Sequence, residues 1–392
     1  MKNGSITARY IGTGKPVRLS WENRVITSVE PAADSPETES RWIAPPLVDL
    51  QINGYAGVDF QRDDLTDDQL LTAVCALRRD GCTRILFTLI TDHWSAMMTR
   101  LRRTRSLIKA NTGLRLTIAG WHIEGPFLSA EPGFCGAHDP TKMIDPTPAL
   151  IDELRKTTGD DPVLLTVAPE RTGCVHAIRH AVNCGMKVSL GHTNASREQL
   201  NAAVEAGATG FTHLGNGCPQ TLDRHDNILW RVLDIPGLTV SLIHDTHHVS
   251  PQLFRLIQRT LKPHQILHTT DAMSAAGAKV GTVAPRGPST KRTFTLGDLR
   301  LEVGEDGIVR QPGKTNFAGS SLTPVDGVFR AAQMTGKPWP EMWLNSSLHP
   351  AEFMGWASEL KSGQPADFCI LELRPDGGLE TLKTYTGSAM TS

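Results

Sequence analysis

Eight short apolar runs, rich in Val, Ile, Leu and Thr, limit what this chain can fold into more than any other feature. They are PPLVDLQING (45–54), TRILFTLIT (83–91), RLTIAGWHIEG (115–125), PVLLTVAPE (162–170), MKVSLGHT (186–193), ATGFTHLGN (208–216), LTVSLIHD (238–245) and QILHTTDAM (265–273). Segments of helical length separate most of them, and strand-length runs alternating with helices build βα units around a parallel sheet. Eight such units close a (β/α)8 barrel of the TIM type, which uses about 250 residues as one unit. Each run begins apolar and ends in polar or ionisable residues, as barrel strands do when their first halves fill the core and their C-terminal tips meet a ligand. The second run, ending in Thr91 and Asp92, is the least obviously chemical. Two helices can be placed from their ends: Thr66 to Arg79 opens with Thr and acidic residues and stops at Gly81, and Ser196 to Ala206 opens with Ser and stops at Gly207.

The 392 residues leave room for more than a barrel. Residues 1–44 read as short strands with turns (ITARYIG, PVRLSWENRVITSVE), as do residues 359–392 (ADFCILEL, LKTYT), and neither end can bury a core alone. The economical solution is a small β-sandwich domain assembled from 1–44 and 359–392, with the barrel domain, 45–358, inserted between them. A stretch from about 280 to 318, rich in Gly, Pro and Thr, predicts a hairpin insertion near the barrel mouth.

Charge narrows the partners. With 40 Lys+Arg against 41 Asp+Glu, the chain lacks the excess of cations that draws proteins to nucleic acid or anionic membranes, so neither is expected as a partner. The one basic cluster, Arg100 to Arg105, fits a solvated helix face. No run approaches the ~18 apolar residues of a membrane span, and MKNGSITARYIGTG lacks the apolar core of a signal peptide, which predicts a cytoplasmic protein. Seven cysteines (75, 82, 135, 174, 184, 218, 369), odd in number and without a CxxC pair, argue against a disulfide framework or a cysteine zinc knuckle and are expected to be buried thiols.

Ten of the 14 histidines fall between residues 176 and 268, several of them at the polar tips of the expected strands. Imidazole and carboxylate are standard zinc ligands, and a catalytic zinc takes three protein ligands and keeps a position for water. The candidates are Glu124 at the end of strand three, His192 at the end of strand five and His213 on strand six. One carboxylate and two neutral imidazoles leave a divalent cation with a formal charge of +1, enough to bring the pKa of bound water towards ~7. Asp271, at the tip of strand eight, could accept that water's proton and return it to a departing amine. Its alternative reading is an N-cap before AMSAAG.

Together the passages PPLVDLQINGYAGVDF, GCTRILFTLIT, WHIEGPFLS, CGAHDP, TVAPE, SLGHTNAS, FTHLGNGCP, HHVSP, TTDAMSAAG and FAGSSLTPVDGV resemble the N-acetylglucosamine-6-phosphate deacetylases of the amidohydrolase superfamily, in order and spacing. The resemblance implies Glu124, His192 and His213 as metal ligands, the set already reached from the strand tips, and Asp271 as the catalytic carboxylate. It adds His138, of the GxH passage, as a donor near the substrate's acetyl carbonyl. The implied reaction turns N-acetylglucosamine 6-phosphate into glucosamine 6-phosphate and acetate, with a divalent metal, zinc first among the candidates, in a homodimer. N-acetylgalactosamine 6-phosphate or an unphosphorylated N-acetyl sugar is the alternative substrate.

Several residues depart from the family's pattern. Many amidohydrolases carry His-x-His on strand one and bind a second metal with it; here Gln51 and Asn53 stand there, on the same side of the strand. Neutral amides bind zinc far more weakly than imidazole, so the second metal position is expected to be vacant and the chain to hold one metal. The family grips the sugar phosphate with backbone amides after the THL histidine, a histidine and an arginine from the neighbouring subunit, which map onto Asn216 and Gly217, His248, and Arg224. Yet HDTHHV (244–249) has Thr246 where glycine is usual, and Gly215 and Gly217 replace larger residues. Threonine is strained at positive φ, so the 244–249 loop is expected to take another path. Of the two extra histidines, His244 is expected in solvent, and His247 stays open between ligand and solvent.

Other motifs fail. GTGKP (12–16) does not complete GxGxxG and GKT (313–315) lacks the upstream glycine of a P-loop. GSS (319–321) is not a nucleophile elbow, which leaves Ser320 as a cap or substrate contact at most. A sugar-binding protein that had lost catalysis on this barrel would lack a ligand or the base, and Glu124, His192, His213 and Asp271 are all present.

Overall fold

The structure, a computed structural model, describes residues 3–278, 292–375, 377–386 and 390–391. Eight strands, Leu47–Ile52, Cys82–Ile90, Ile118–Glu124, Val163–Val167, Lys187–Leu190, Gly210–Phe211, Thr239–Ile243 and Ile266–Thr269, pair in parallel, each with the next in the chain. A bridge between Ile52 and Ala272, with Asn53 N–H donating to Ala272 O at 2.7 Å, joins the last strand to the first and closes the barrel. The register along the first strand shifts between Asp49 and Ile52, beside Gln51, a place where a bulge re-aims side chains.

The barrel interior is layered. At the N-terminal ends of the strands Val48, Leu50, Leu86, Leu164 and Leu267 pack with Ala351, so the helix Leu348–Met354 plugs that end with apolar surface. Above it runs a buried chain of hydroxyls and one imidazole: His122 Nε2 to Thr166 Oγ1 at 2.8 Å, Thr166 to Thr212 at 2.9 Å, and Thr212 to Ser189 at 2.8 Å. Buried polar groups persist where each finds a partner. Ionisable tips form the next layer, at the mouth.

The helix Asp67–Arg79 is capped by Thr66 in a capping box with Gln69, and Arg197–Glu205 by Ser196 with Gln199, as the sequence predicts. The basic cluster does lie on a helix, Trp94–Ala110, but its face is not simply solvated. Arg100 is buried, with Nε 2.9 Å from Asp63 and Nη2 3.1 Å from Asp92, because a guanidinium can enter a protein when carboxylates match its donors.

Gly4–Tyr10, Pro16–Glu22, Val25–Pro31 and Arg41–Ala44 from one end of the chain, and Asp367–Leu373, Leu379–Thr386 and Met390–Thr391 from the other, make one seven-stranded sheet. Trp21 lies 5.2 Å from Tyr385 although their strands stand four apart. A flat sheet would separate them by about 19 Å. The sheet therefore curls over its own core of Leu19, Trp21, Ile43, Phe368 and Tyr385. We propose the domain division at 44/45 and 358/359 that this assembly suggests. The insertion after the eighth strand is a three-stranded sheet, Arg292–Leu296, Leu299–Val303 and Val309–Arg310; residues 280–291 of the expected hairpin lie outside the described residues.

All seven cysteines are free; Cys82, Cys174 and Cys369 are buried as expected, while Cys75, Cys135, Cys184 and Cys218 are only partly so. Among the described residues no helix is long and apolar enough to cross a membrane.

Candidate active site at the barrel mouth

Glu124 is the last residue of the third barrel strand, and His192, His213 and Asp271 each lie two residues past the end of theirs. Those three leave the strand with positive φ, 49°, 33° and 51°, a region L-residues with a Cβ rarely adopt. Such backbone costs of order 1–3 kcal/mol per residue and is kept where the surroundings hold it. Here Ser241 Oγ accepts His213 N–H at 2.7 Å, Ser129 N–H donates to His192 O at 3.0 Å, and Ser320 N–H donates to Asp271 O at 2.8 Å. Ser320 is thus buried and braces the Asp271 peptide, with its hydroxyl donating to Thr270 O at 2.6 Å; residues 272–278 form a turn and no helix, so Asp271 is not an N-cap.

Glu124, His192 and His213 offer ligand atoms that all lie within 4.8 Å of one another. Nε2 of His213 is 2.8 Å and Nε2 of His192 is 3.5 Å from Glu124 Oε1. His192 presents Nε2 because its Nδ1 bonds Phe134 O at 2.8 Å, the outer contact that usually orients a metal-ligating imidazole. Its ring has room only because Gly136 and Gly217 flank it; a Cβ on either would come within 2.8 Å of the ring. Burial would raise the Glu124 carboxyl, but the hydrogen bonds from His192 and His213 outweigh it and hold the group well below the usual carboxylate range. A buried carboxylate and two imidazoles with converging lone pairs fit a divalent cation.

Asp271 faces this trio. Its Oδ1 accepts from Asn53 Nδ2 at 2.6 Å and from Gln51 Nε2 at 3.0 Å, and Gln51 Nε2 also lies 3.0 Å from both Glu124 oxygens. The two amides therefore act as donors that hold the carboxylates. Burial and the Glu124 charge push the Asp271 carboxyl up to about 8, against the pull of His213 and Asn53. Asp49 ties the first strand to the eighth just before it, accepting from Thr269 Oγ1 at 2.5 Å and Thr270 N–H at 2.9 Å.

His138 completes the floor. Its Nδ1 is 2.9 Å from Thr91 Oγ1, so the strand tip that looked least chemical holds a ring of the site. The ring stands edge-on to His192 at 4.5 Å, and burial, then His192, push it down to about 3, which keeps it neutral.

Over this floor opens a cavity of about 730 Å³. Asn53, Glu124, His138, His192, His213, Asn216, Gly217, His247, His248 and Asp271 line it, with Phe317 from the insertion against the His248 ring at 4.9 Å. Gln51 lies beneath; Arg224 is exposed and does not line the cavity of its own chain, although Gln220 and Leu222 of the same loop do. Asn216 N–H donates to His213 O at 2.9 Å and its side chain to the same oxygen at 3.3 Å, so this residue folds the loop back on itself.

The 244–249 loop corrects two expectations. Thr246 has φ 75°, so the loop keeps the left-handed backbone and the threonine bears it. Asp245 makes this possible, accepting His247 N–H at 2.8 Å, His248 N–H at 2.9 Å and His248 Nδ1–H at 2.6 Å. His248 thereby faces the cavity with a fixed ring, and His247 stands exposed at its rim. His244 is not in solvent: it is buried, Nδ1 is 3.1 Å from Thr269 O, and its ring stacks on His268 at 4.7 Å. Thr246→Gly should relieve the strain, roughly 1–3 kcal/mol for a Cβ-bearing residue, at the ~0.5–1 kcal/mol entropic cost of glycine. An unfolding free energy higher by about 1 kcal/mol, read from urea titration, is expected; a lower one would mean that the threonine side chain contributes more than its backbone costs.

A barrel whose strand tips set a Glu–His–His cluster against a carboxylate belongs to the metal-dependent hydrolases of the amidohydrolase superfamily. The chain is 30% identical over 379 residues, covering 96% of its length and 94% of the relative's, to N-acetylgalactosamine-6-phosphate deacetylase of Escherichia coli O157:H7. It is also 30% identical, over 82% of its length and 75% of the relative's, to N-acetylglucosamine-6-phosphate deacetylase of Vibrio furnissii. The structure of a mutant N-acetyl-D-glucosamine-6-phosphate deacetylase from Mycobacterium smegmatis, in complex with N-acetyl-D-glucosamine-6-phosphate, superposes with a TM-score of 0.86 at 28% identity, covering both chains completely. No family model matches the chain. The chain belongs to the N-acetylglucosamine-6-phosphate deacetylase family.

Proposed function

We propose that the protein hydrolyses the N-acetyl group of N-acetylglucosamine 6-phosphate, releasing acetate and glucosamine 6-phosphate. The observation that carries this reading is Asp271, held by Asn53 and Gln51 over the Glu124–His192–His213 cluster on the floor of a closed-bottomed cavity. Glu124, His192 and His213 would hold one divalent cation, zinc first among the candidates, with Gln51 and Asn53 serving as donors in place of second-metal ligands. When bound, such a cation polarises a carbonyl and acidifies water.

The chain's own groups do the rest. Both amides bond Oδ1 of Asp271, which leaves Oδ2 to take a proton from the attacking water. The same oxygen then gives that proton to the nitrogen as the C–N bond breaks, so the carboxylate is regenerated and one water is consumed per acetate. A cation beside Glu124 offsets the charge that raises Asp271, which favours the ionised form this role needs. His138, neutral and held at Nδ1 by Thr91, donates from Nε2 to the acetyl oxygen, where negative charge develops during attack.

The phosphate raises a question of charge. Among the described residues lining the cavity there is no Arg or Lys; of the donors expected for the phosphate, His248 and Gly217 line the cavity, while the Asn216 N–H is taken by His213 O. A homodimer in which the exposed Arg224 of a second copy reaches the cavity supplies the missing cation, and a planar guanidinium can pair two phosphate oxygens. Free thiols throughout the described chain suit the reducing cytoplasm in which we place the protein.

The Escherichia coli relative favours a second reading, N-acetylgalactosamine 6-phosphate, which differs at one ring carbon. Acetate release from both phosphorylated sugars and from N-acetylglucosamine tests the choice. N-acetylglucosamine 6-phosphate should give the highest kcat/KM. Arg224→Ala should lower it about 10- to 100-fold, the worth of one or two hydrogen bonds to a charged group, with little change for the unphosphorylated sugar. Equal kcat/KM for the sugar with and without phosphate would reject the phosphate assignment.

A further inference from the structure

On the outside of the barrel, away from the mouth, two neighbouring helices bring together three side chains that the deacetylation does not use. The helix Pro148–Thr158 carries Asp152; the helix Cys174–Asn183 carries His180, and Cys184 caps its C-terminus. His180 and Cys184 are four residues apart, so they share one helix face. His180 Nε2 is 2.7 Å from Asp152 Oδ1 and 3.9 Å from Cys184 Sγ, and all three ligand atoms lie within 4.8 Å of one another.

We propose that Asp152, His180 and Cys184 form a second, surface metal site that takes a borderline-soft divalent cation such as Zn2+. Bonds of about 2.0 Å to nitrogen and oxygen and about 2.3 Å to sulfur place tetrahedral nitrogen and oxygen atoms roughly 3.3 Å apart and either of them roughly 3.5 Å from the sulfur. The nitrogen–sulfur pair, at 3.9 Å, closes by about 0.4 Å, and the nitrogen–oxygen pair, at 2.7 Å, opens by about 0.6 Å when the cation replaces the shared proton. One carboxylate, one thiolate and one neutral imidazole carry two negative charges, which a divalent ion cancels. Sulfur sets the preference: a thiolate selects Zn2+, Co2+ or Cd2+ over Mg2+ or Ca2+. Asp152 is exposed and the other two are half-buried, so the ion enters from solvent and keeps a water as its fourth ligand. Bound there, it would pin two outer helices to each other.

The thiolate gives this site a signature that the Glu124–His192–His213 cluster cannot produce, since that cluster contains no sulfur. Holoenzyme kept reduced is titrated with Co2+ and the near-ultraviolet thiolate-to-cobalt charge-transfer band is followed. The band should rise to one equivalent per chain. Cys184→Ser should abolish it, and Asp152→Asn should weaken binding by at least ~10-fold, the loss that even an outer-shell partner can cause. Turnover should stay unchanged in both variants. Cys218, which lines the cavity, is the control: Cys218→Ser should keep the band. No band at saturating Co2+, or a band that survives Cys184→Ser, would reduce the cluster to a surface ion pair between Asp152 and His180. Equal urea midpoints without metal for the wild type, Cys184→Ser and Asp152→Asn are expected and show that a lost or weakened band is lost ligation and not lost fold; a much lower midpoint in both variants would overturn the proposal.

Discussion

Asp271→Asn is expected to lower kcat by at least ~10²-fold, the usual worth of a positioned acid–base group, with metal content and fold unchanged. The geometry makes the substitution a clean one. Oδ1 remains an acceptor for Asn53 and Gln51, so the side chain stays where it is. Only the second oxygen changes, from a proton acceptor to an amide nitrogen that can neither take nor return a proton. The buried carboxyl beside Glu124 is held up at about 8, so without a cation it is already largely protonated near neutral pH, and a neutral amide of the same shape should not destabilise the protein. Single-turnover acetate release, with metal counted in the same sample, separates chemistry from occupancy. Near-native turnover would assign the proton transfer to another group, and His138, 4.5 Å from the His192 ring, is the first suspect.

The sequence shows the ionisable residues of this site because each sits at a strand tip, where an apolar run gives way to Glu, His or Asp. What holds them there is not legible, because the partners come from elsewhere in the chain. Phe134 orients His192 through a backbone carbonyl, which no side-chain identity reveals. Thr91 steadies His138 from a strand 47 residues earlier, and Phe317 reaches His248 from the insertion. Backbone strain is equally silent. A glycine announces positive φ, but His192, His213, Thr246 and Asp271 adopt it with a Cβ because Ser129, Ser241, Ser320 and, around Thr246, Asp245 hydrogen-bond the adjoining backbone. The burial of His244 did leave a trace. Gly327 sits within the helix Pro324–Thr335, and a Cβ there would lie 2.2 Å from His244 Nε2, so the helical glycine marks the space that the imidazole fills. A glycine that costs helix stability is a cue to look for what it admits.

Glu124→Gln should have the larger effect on turnover, at least ~10³-fold, because it removes the one anion that binds the cation and with it several kcal/mol of charge stabilisation in the transition state. Two neutral imidazoles alone make a weak site. Metal retained through gel filtration should fall from one equivalent to below about a tenth; counting it in a Cys184→Ser background keeps the surface cluster from contributing. The fold should survive. Gln51 Nε2 now donates to both Glu124 oxygens, while Gln51 Oε1 is buried without a partner. With glutamine at 124, a flip of the Gln51 amide turns that oxygen toward the new N–H, so a donor facing a donor is avoided. Loss of turnover with the metal retained would mean that Glu124 only shapes the pocket and that the cation rests on other ligands, with His138 and His192 the nearest pair of imidazoles. Loss of both together ties the hydrolytic chemistry to the third strand's last residue, a point where the barrel's apolar repeat becomes a buried carboxylate at the mouth.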